Sequence, residues 1–135
     1  MHRHASQAAI AAGKAVTVLT YLHGTKEAED AIDQLNAEGY DCDLVELTCL
    51  KPFDADTIRA SLQRTHKLCI LDESTRSGGV GATMSALVSE TMFDELDAPV
   101  SRLCMEDAPV PYATEMERAM VKRAADLVEG VKAMC

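Results

Sequence analysis

The stretch LCILDESTRSGGVGATM, Leu68–Met84, decides how this chain folds. Leu68–Leu71 is an apolar run without alternation, the pattern of a strand covered on both faces. A charged, hydroxyl-rich turn follows and meets Gly78, Gly79 and Gly81. Beyond it Met84, Leu87, Val88, Thr91, Met92 and Leu96 recur at helical spacing. Pro99 ends that pattern, and Val100–Met105 reads as the next strand. A strand, a glycine turn, a helix and a strand form the crossover that joins parallel neighbours.

The same alternation runs through the rest of the chain. VTVLTY, Val16–Tyr21, is β-branched and aromatic and reads as a strand. From Lys26 to Glu38, Ala28, Ala31, Ile32 and Leu35 share one helix face, and Gly39 stops it. Cys42–Thr48 is a second strand. Pro52 breaks it, and Asp54 is placed to cap a helix that buries Ile58 and Leu62. Thr114 and Glu117 have capping-box spacing for a last helix with Met116, Met120, Ala124, Leu127 and Val131 inward. Residues 8–12, AAIAA, are read as a short edge strand. The order predicts one α/β domain, an open, mostly parallel sheet with helices on both faces.

With 135 residues, 47% of them hydrophobic and 26% charged, the chain has the composition of a globular domain. No apolar run is long enough to cross a bilayer as a helix. Thirteen basic against twenty-two acidic side chains give a net charge of −9, which argues against nucleic acid and favours a basic protein partner. The five cysteines form no CxxC pair, and no histidine lies at metal-ligand spacing from them; the odd count suits a reducing compartment. The opening MHRHASQAAIAAGKA has no apolar core of signal-peptide length. Residues 1–7 are read as a disordered or non-native leader and 8–135 as the domain.

A glycine turn leaving a parallel strand and entering a helix is where phosphate is often held. Here the spacing is G-G-x-G, without the GxGxxG of dinucleotide sites or the Lys-Ser/Thr of a Walker loop. The glycines therefore read first as a tight turn and a close approach of backbone to backbone. Asp72 and Glu73 close the Leu68–Leu71 strand, and Asp94, Glu95 and Asp97 cluster after the following helix. His23 and His66 have no nucleophile in an elbow context and read as structural. The residues alone give a fold and a contact loop, and no catalytic constellation.

Five segments, VTVLTY, LKPFDADTI, THKLCILDESTRSGGVGA, FDELDAPVSRL and DAPVPYA, occur in an order and spacing that resemble one family. From about residue 8 onward the chain resembles the C-terminal, transketolase-like domain of the beta subunit of pyruvate dehydrogenase's decarboxylating component. LKPFD, RTH and GGVGA are nearer its plastid and cyanobacterial branch. The resemblance implies a three-layer α/β/α domain with a five-stranded mixed sheet, one strand antiparallel. It also implies an α2β2 enzyme that uses thiamine diphosphate and Mg²⁺ to decarboxylate pyruvate and acetylate lipoyl groups. In such enzymes the cofactor lies between the alpha subunit and the beta subunit's other domain, so no cofactor, metal or catalytic residue is expected on this domain.

The implied partners are the alpha subunit, a second beta subunit and the basic subunit-binding domain of dihydrolipoyl acetyltransferase. Asp97 matches the family's docking aspartate. Asp94, Glu95 and the carboxylate of Cys135 are expected beside it, and Gly78, Gly79 and Gly81 at a subunit contact. The implied compartment is the plastid stroma, with mitochondrial matrix or bacterial cytoplasm as alternatives. Two other readings stay open: a branched-chain 2-oxoacid dehydrogenase beta subunit, and a free-standing interaction module. Lacking the family's usual proline after Tyr112, the segment from Thr114 is expected to run as one longer helix.

Overall fold

The computed structural model describes His2–Arg3 and residues 7–135. Four parallel strands carry the fold: β2 (Ala15–Thr20), β3 (Asp41–Glu46), β4 (Leu68–Thr75) and β5 (Ser101–Met105). A two-residue strand, β1 (His2–Arg3), pairs antiparallel with β3 through Val45 and Leu44 and completes the order β1-β3-β2-β4-β5. The five-stranded mixed sheet is thus four full strands and one short antiparallel edge. Of the expected leader, Met1 and residues 4–6 lie outside the described residues.

The helices are α1 (Gln7–Ala11), α2 (His23–Ala37), α3 (Ala55–Thr65), α4 (Val80–Thr91), α5 (Thr114–Met120) and α6 (Ala124–Met134). A 3₁₀ turn, Phe93–Glu95, follows α4. None of the described helices is long and apolar enough to cross a membrane. Strand alternation divides the core in two. Val16, Val18, Cys42, Leu44, Cys69 and Leu71 face α2 and α6, meeting Ile32, Leu35, Leu127 and Val131. Leu19, Val45, Leu68 and Ile70 face α3 and α4, meeting Ile58, Leu62, Met84 and Val88. Burying each of these aliphatic side chains contributes about 1.5–3 kcal/mol, and the result is the three-layer architecture.

Three expectations are corrected. Residues 8–12 are not an edge strand: Gln7–Ala11 is helical, in keeping with alanine's high helix propensity and lack of β-branching. The C-terminal segment is not one helix either. Val121 and Arg123 are extended, with ψ of 129° and 175°. Glu27 of α2 explains the break, since it accepts from the Ala124 amide (2.9 Å) and from Arg123 Nη1 (3.0 Å). Asp126 accepts from the Arg123 amide at 2.7 Å. A second helix start is thereby anchored where the chain could have continued the first. The Thr114 cap is absent as well: Ala113 precedes α5 with no side-chain cap, and Met116 is exposed.

One buried polar cluster lies between the sheet and α3. Asp43 of β3, whose side chain is 1% exposed, pairs with Arg64 and accepts from Ser61 Oγ at 2.8 Å. Ser61 and Thr65 each lie 2.7 Å from the Thr17 hydroxyl of β2. The cluster fixes the register of α3 against two strands. Asp54 caps the start of α3 as expected, accepting from the Thr57 amide at 3.1 Å.

Candidate functional site

Strand order reverses at β2: the chain passes to β3 on one side and returns to β4 on the other. Open α/β sheets bind ligands in the crevice at such a point, outside the C-terminal ends of the strands. Here the crevice is filled by the chain's own groups. Asp72, 2% exposed, accepts from Tyr21 Oη at 2.5 Å, from the Ser74 amide and hydroxyl at 2.9 and 2.6 Å, and from the Gly81 amide at 2.7 Å. The Gly81 amide belongs to the first turn of α4, the group a bound phosphate would use. Burial alone would push the Asp72 pKa up, but the hydrogen bonds from Ser74, Tyr21 and Gly81 outweigh it and hold the carboxyl below its ordinary range. Tyr21 is pushed the other way, by burial and by donating to Asp72, so it remains a proton donor.

The glycines follow from that carboxylate. A Cβ on Gly81 would stand 2.6 Å from Asp72 Oδ2, and one on Gly79 would meet Ser74 Oγ and, at 2.5 Å, the Thr75 carbonyl oxygen. Gly78 has open space around it but a φ of +74°, which disfavours any side chain. Gly81→Ala should therefore cost about 1–3 kcal/mol by forcing Asp72 from its seat. Chemical denaturation will show this as a lower midpoint with an unchanged slope.

Next to Asp72, Glu73 accepts from the Gly24 amide at 2.7 Å, in the first turn of α2. Both helix starts at the crevice thus already hold a carboxylate, and a diphosphate there would face two negative charges where it needs free N–H groups. The residues do not fit thiamine diphosphate. Among the described residues no three His, Cys, Asp or Glu side chains are grouped to hold its metal ion. The histidines are peripheral: His23 lies 3.6 Å from Glu27, and His66 closes α3 in a left-handed conformation with Nδ1 3.1 Å from the Glu95 carbonyl oxygen.

The second candidate region is at the opposite, N-terminal edge of the strands. The Asp97 amide donates to the His66 carbonyl oxygen at 2.8 Å, which leaves the carboxylate exposed beside the turn before β4. A groove of about 440 Å³ adjoins it, walled by Phe93, Leu96, Pro99 and Val100 with Ser85 and Ser89. Phe93 is 70% exposed. Cys135 comes to the same edge, with Sγ 3.6 Å from Lys67 Nζ, which also donates to the Gly13 carbonyl oxygen at 2.8 Å. The four acidic candidates are not equivalent. Asp94 and Asp97 are exposed, whereas Glu95 lies 3.7 Å from Arg59 and accepts from Gln63 at 3.2 Å.

Cys42, Cys69 and Cys104 are buried in the sheet, and burial pushes the Cys42 and Cys69 thiols up to about 12. They are packing residues. The sequence reading missed Tyr21 and the Glu73–Gly24 contact. Asp72 and Glu73 ending an apolar run was a signal, but Gly24 is 49 residues from Glu73 and nothing in the spacing pairs them.

The family model described as "Transketolase, C-terminal domain" matches residues 7–127. The chain is 39% identical over 120 residues to the pyruvate dehydrogenase E1 component subunit beta of Porphyra purpurea, a match covering 89% of this chain and 36% of that protein. To the chloroplastic subunit beta-2 of Arabidopsis thaliana it is 38% identical over 123 residues, covering 91% and 30%. To the subunit beta of Rickettsia felis it is 36% identical over 123 residues, covering 91% and 38%. It thus spans 30–38% of the length of these relatives. A solved structure described as a split gene transketolase, inactive beta4 tetramer, superposes with a TM-score of 0.77 at 26% identity, over 90% of this chain and 39% of that one.

Proposed function

The chain belongs to the transketolase C-terminal domain family, and from that membership we propose that it serves as the C-terminal domain of a pyruvate dehydrogenase beta subunit. Identity to such subunits along 89–91% of the chain carries this reading. Its work is assembly. It helps to hold the alpha subunit and a second beta subunit together and docks the basic subunit-binding domain of dihydrolipoyl acetyltransferase. The full enzyme carries thiamine diphosphate and Mg²⁺ outside this domain, and the isolated 135-residue chain neither binds the cofactor nor decarboxylates pyruvate. The self-filled crevice at the C-terminal strand edge supports that division of labour. The chloroplastic subunits among the relatives favour a plastid stroma.

Docking is assigned to the N-terminal strand edge, where Asp97 and Asp94 present exposed carboxylates and Cys135 lies nearby. Exposed charges of this kind raise the association rate and set orientation. Asp97→Ala is expected to weaken binding of the purified subunit-binding domain by about fivefold at low salt. The loss should shrink as ionic strength rises, and the thermal midpoint should not move, because the carboxylate is exposed. Calorimetric titration measures this directly. Equal affinity of variant and parent would remove Asp97 from the contact.

A further inference from the structure

A cleft of about 420 Å³ opens at the C-terminal strand edge, between the ends of β4 and β5 on one side and α5 on the other. It is separate from the Asp97 groove and borders the filled crevice, sharing Glu73 with it, and it falls in the size range of small-molecule sites. Its lining carries both signs of charge. Glu73 and Glu117 supply carboxylates, and Arg118 and Arg123 supply guanidinium groups. Met105, Val110 and Val121 make the apolar part of the wall.

The charges do not cancel one another internally. Glu117 and Arg118 are consecutive on α5, so they diverge around the helix and cannot pair. Among the described residues neither side chain has a hydrogen bond or ion pair with another group. Glu73 uses one oxygen on the Gly24 amide, and among the described residues its second oxygen takes no hydrogen bond. Arg123 spends Nη1 on Glu27, outside the cleft lining. A purely anionic ligand would meet two carboxylates here, and a purely cationic one two guanidinium groups. A molecule carrying both charges on adjacent atoms, with an apolar side chain, meets complementary groups at each end.

We propose that this cleft binds a free α-amino acid with a branched aliphatic side chain. Its carboxylate lies toward Arg118 and Arg123, its ammonium toward Glu73 and Glu117, and its side chain on Met105, Val110 and Val121. α5 forms much of one wall and buries none of its own residues, so ligand contact would also order this short helix against the sheet.

The test is an amide-resolved NMR titration of the 135-residue chain with L-leucine, with L-leucinamide, which lacks the carboxylate, and with 4-methylpentanoate, which lacks the ammonium. Leucine is expected to give saturable shifts at residues 105–123 and at His23 and Glu73. Each analogue should bind at least about tenfold more weakly, the loss of one charge-assisted contact. Arg118→Gln, at an exposed position without partners, should weaken leucine about tenfold and leave the thermal midpoint unchanged. The proposal is overturned by no saturable shift at about 10 mM leucine, beyond the weak end of specific recognition. It is also overturned by equal responses to all three compounds, or by an unaltered Arg118→Gln titration. Shifts that appear only when a protein partner is added would assign the cleft to an interface and overturn it too.

Discussion

Asp72→Ala is expected to destabilise the domain by about 3–5 kcal/mol, a large part of the stability of a chain this size. Removing the carboxylate leaves the Tyr21 hydroxyl, the Ser74 amide and the Gly81 amide without their acceptor inside the fold. Each buried donor left unpaired costs about 1–3 kcal/mol. Asp72→Asn should recover part of the loss, because its remaining oxygen can keep the Tyr21 and Ser74 bonds while the amide nitrogen faces only the Gly81 N–H. Thermal denaturation should show the midpoint of Asp72→Ala falling by about 10 °C or more, with Asp72→Asn between it and the parent. A fall of only a degree or two in both would mean that water replaces the carboxylate without loss.

The same residue sets an acid limb. The folded carboxyl titrates below its ordinary range, so the folded state releases its proton more readily than the unfolded chain. Its contribution is therefore complete above the unfolded value of about 4. It is lost as the pH falls through the lower folded value. The gap in stability between the parent and Asp72→Ala should narrow over that acid window and stay constant from there to neutrality.

The second large effect is expected at Asp43. Asp43→Ala removes the partner of Arg64 and the acceptor of the Ser61 hydroxyl between β3 and α3, at a cost of about 2–3 kcal/mol because Arg64 is a third exposed and keeps the Ala60 carbonyl. Replacing both charged partners is the informative control. Asp43→Leu with Arg64→Met should recover most of the loss, since well-packed apolar pairs often match a buried ion pair. Ser61 still has Thr17 as a partner in that variant. If the double variant is no better than Asp43→Ala, the network contributes more than its central pair. Urea unfolding of the three chains decides between the two.

The features that reached the sequence reading were local and periodic. Leu68–Leu71, the helix face from Ala28 to Leu35 and the Asp54 cap were legible because their determinants lie within a turn or a strand. The break before α6 was not legible, because its cause is Glu27, whose partner Ala124 is 97 residues away. Residues 8–12 were read as a short edge strand although the propensity of their alanines gave that little support. The glycine turn was read as a place where backbone approaches backbone; what approaches Gly81 is a side chain, Asp72. That carboxylate was visible at the end of an apolar run. Its burial was not, because a charge at a strand end is ordinarily solvated.

Glu73 and Glu27 have a joint consequence for how the domain can fluctuate. Helix ends are normally the first parts of a fold to fray, since their leading amides have no partner within the helix. Here the start of α2 is latched by the end of β4, and the start of α6 by the body of α2. Neither end can open alone without pulling a hydrogen bond from an element distant in sequence. Opening either end therefore costs a charge-assisted hydrogen bond, about 1.5–3 kcal/mol beyond ordinary fraying, so a displacement of one helix start is felt first by the distant element that latches it.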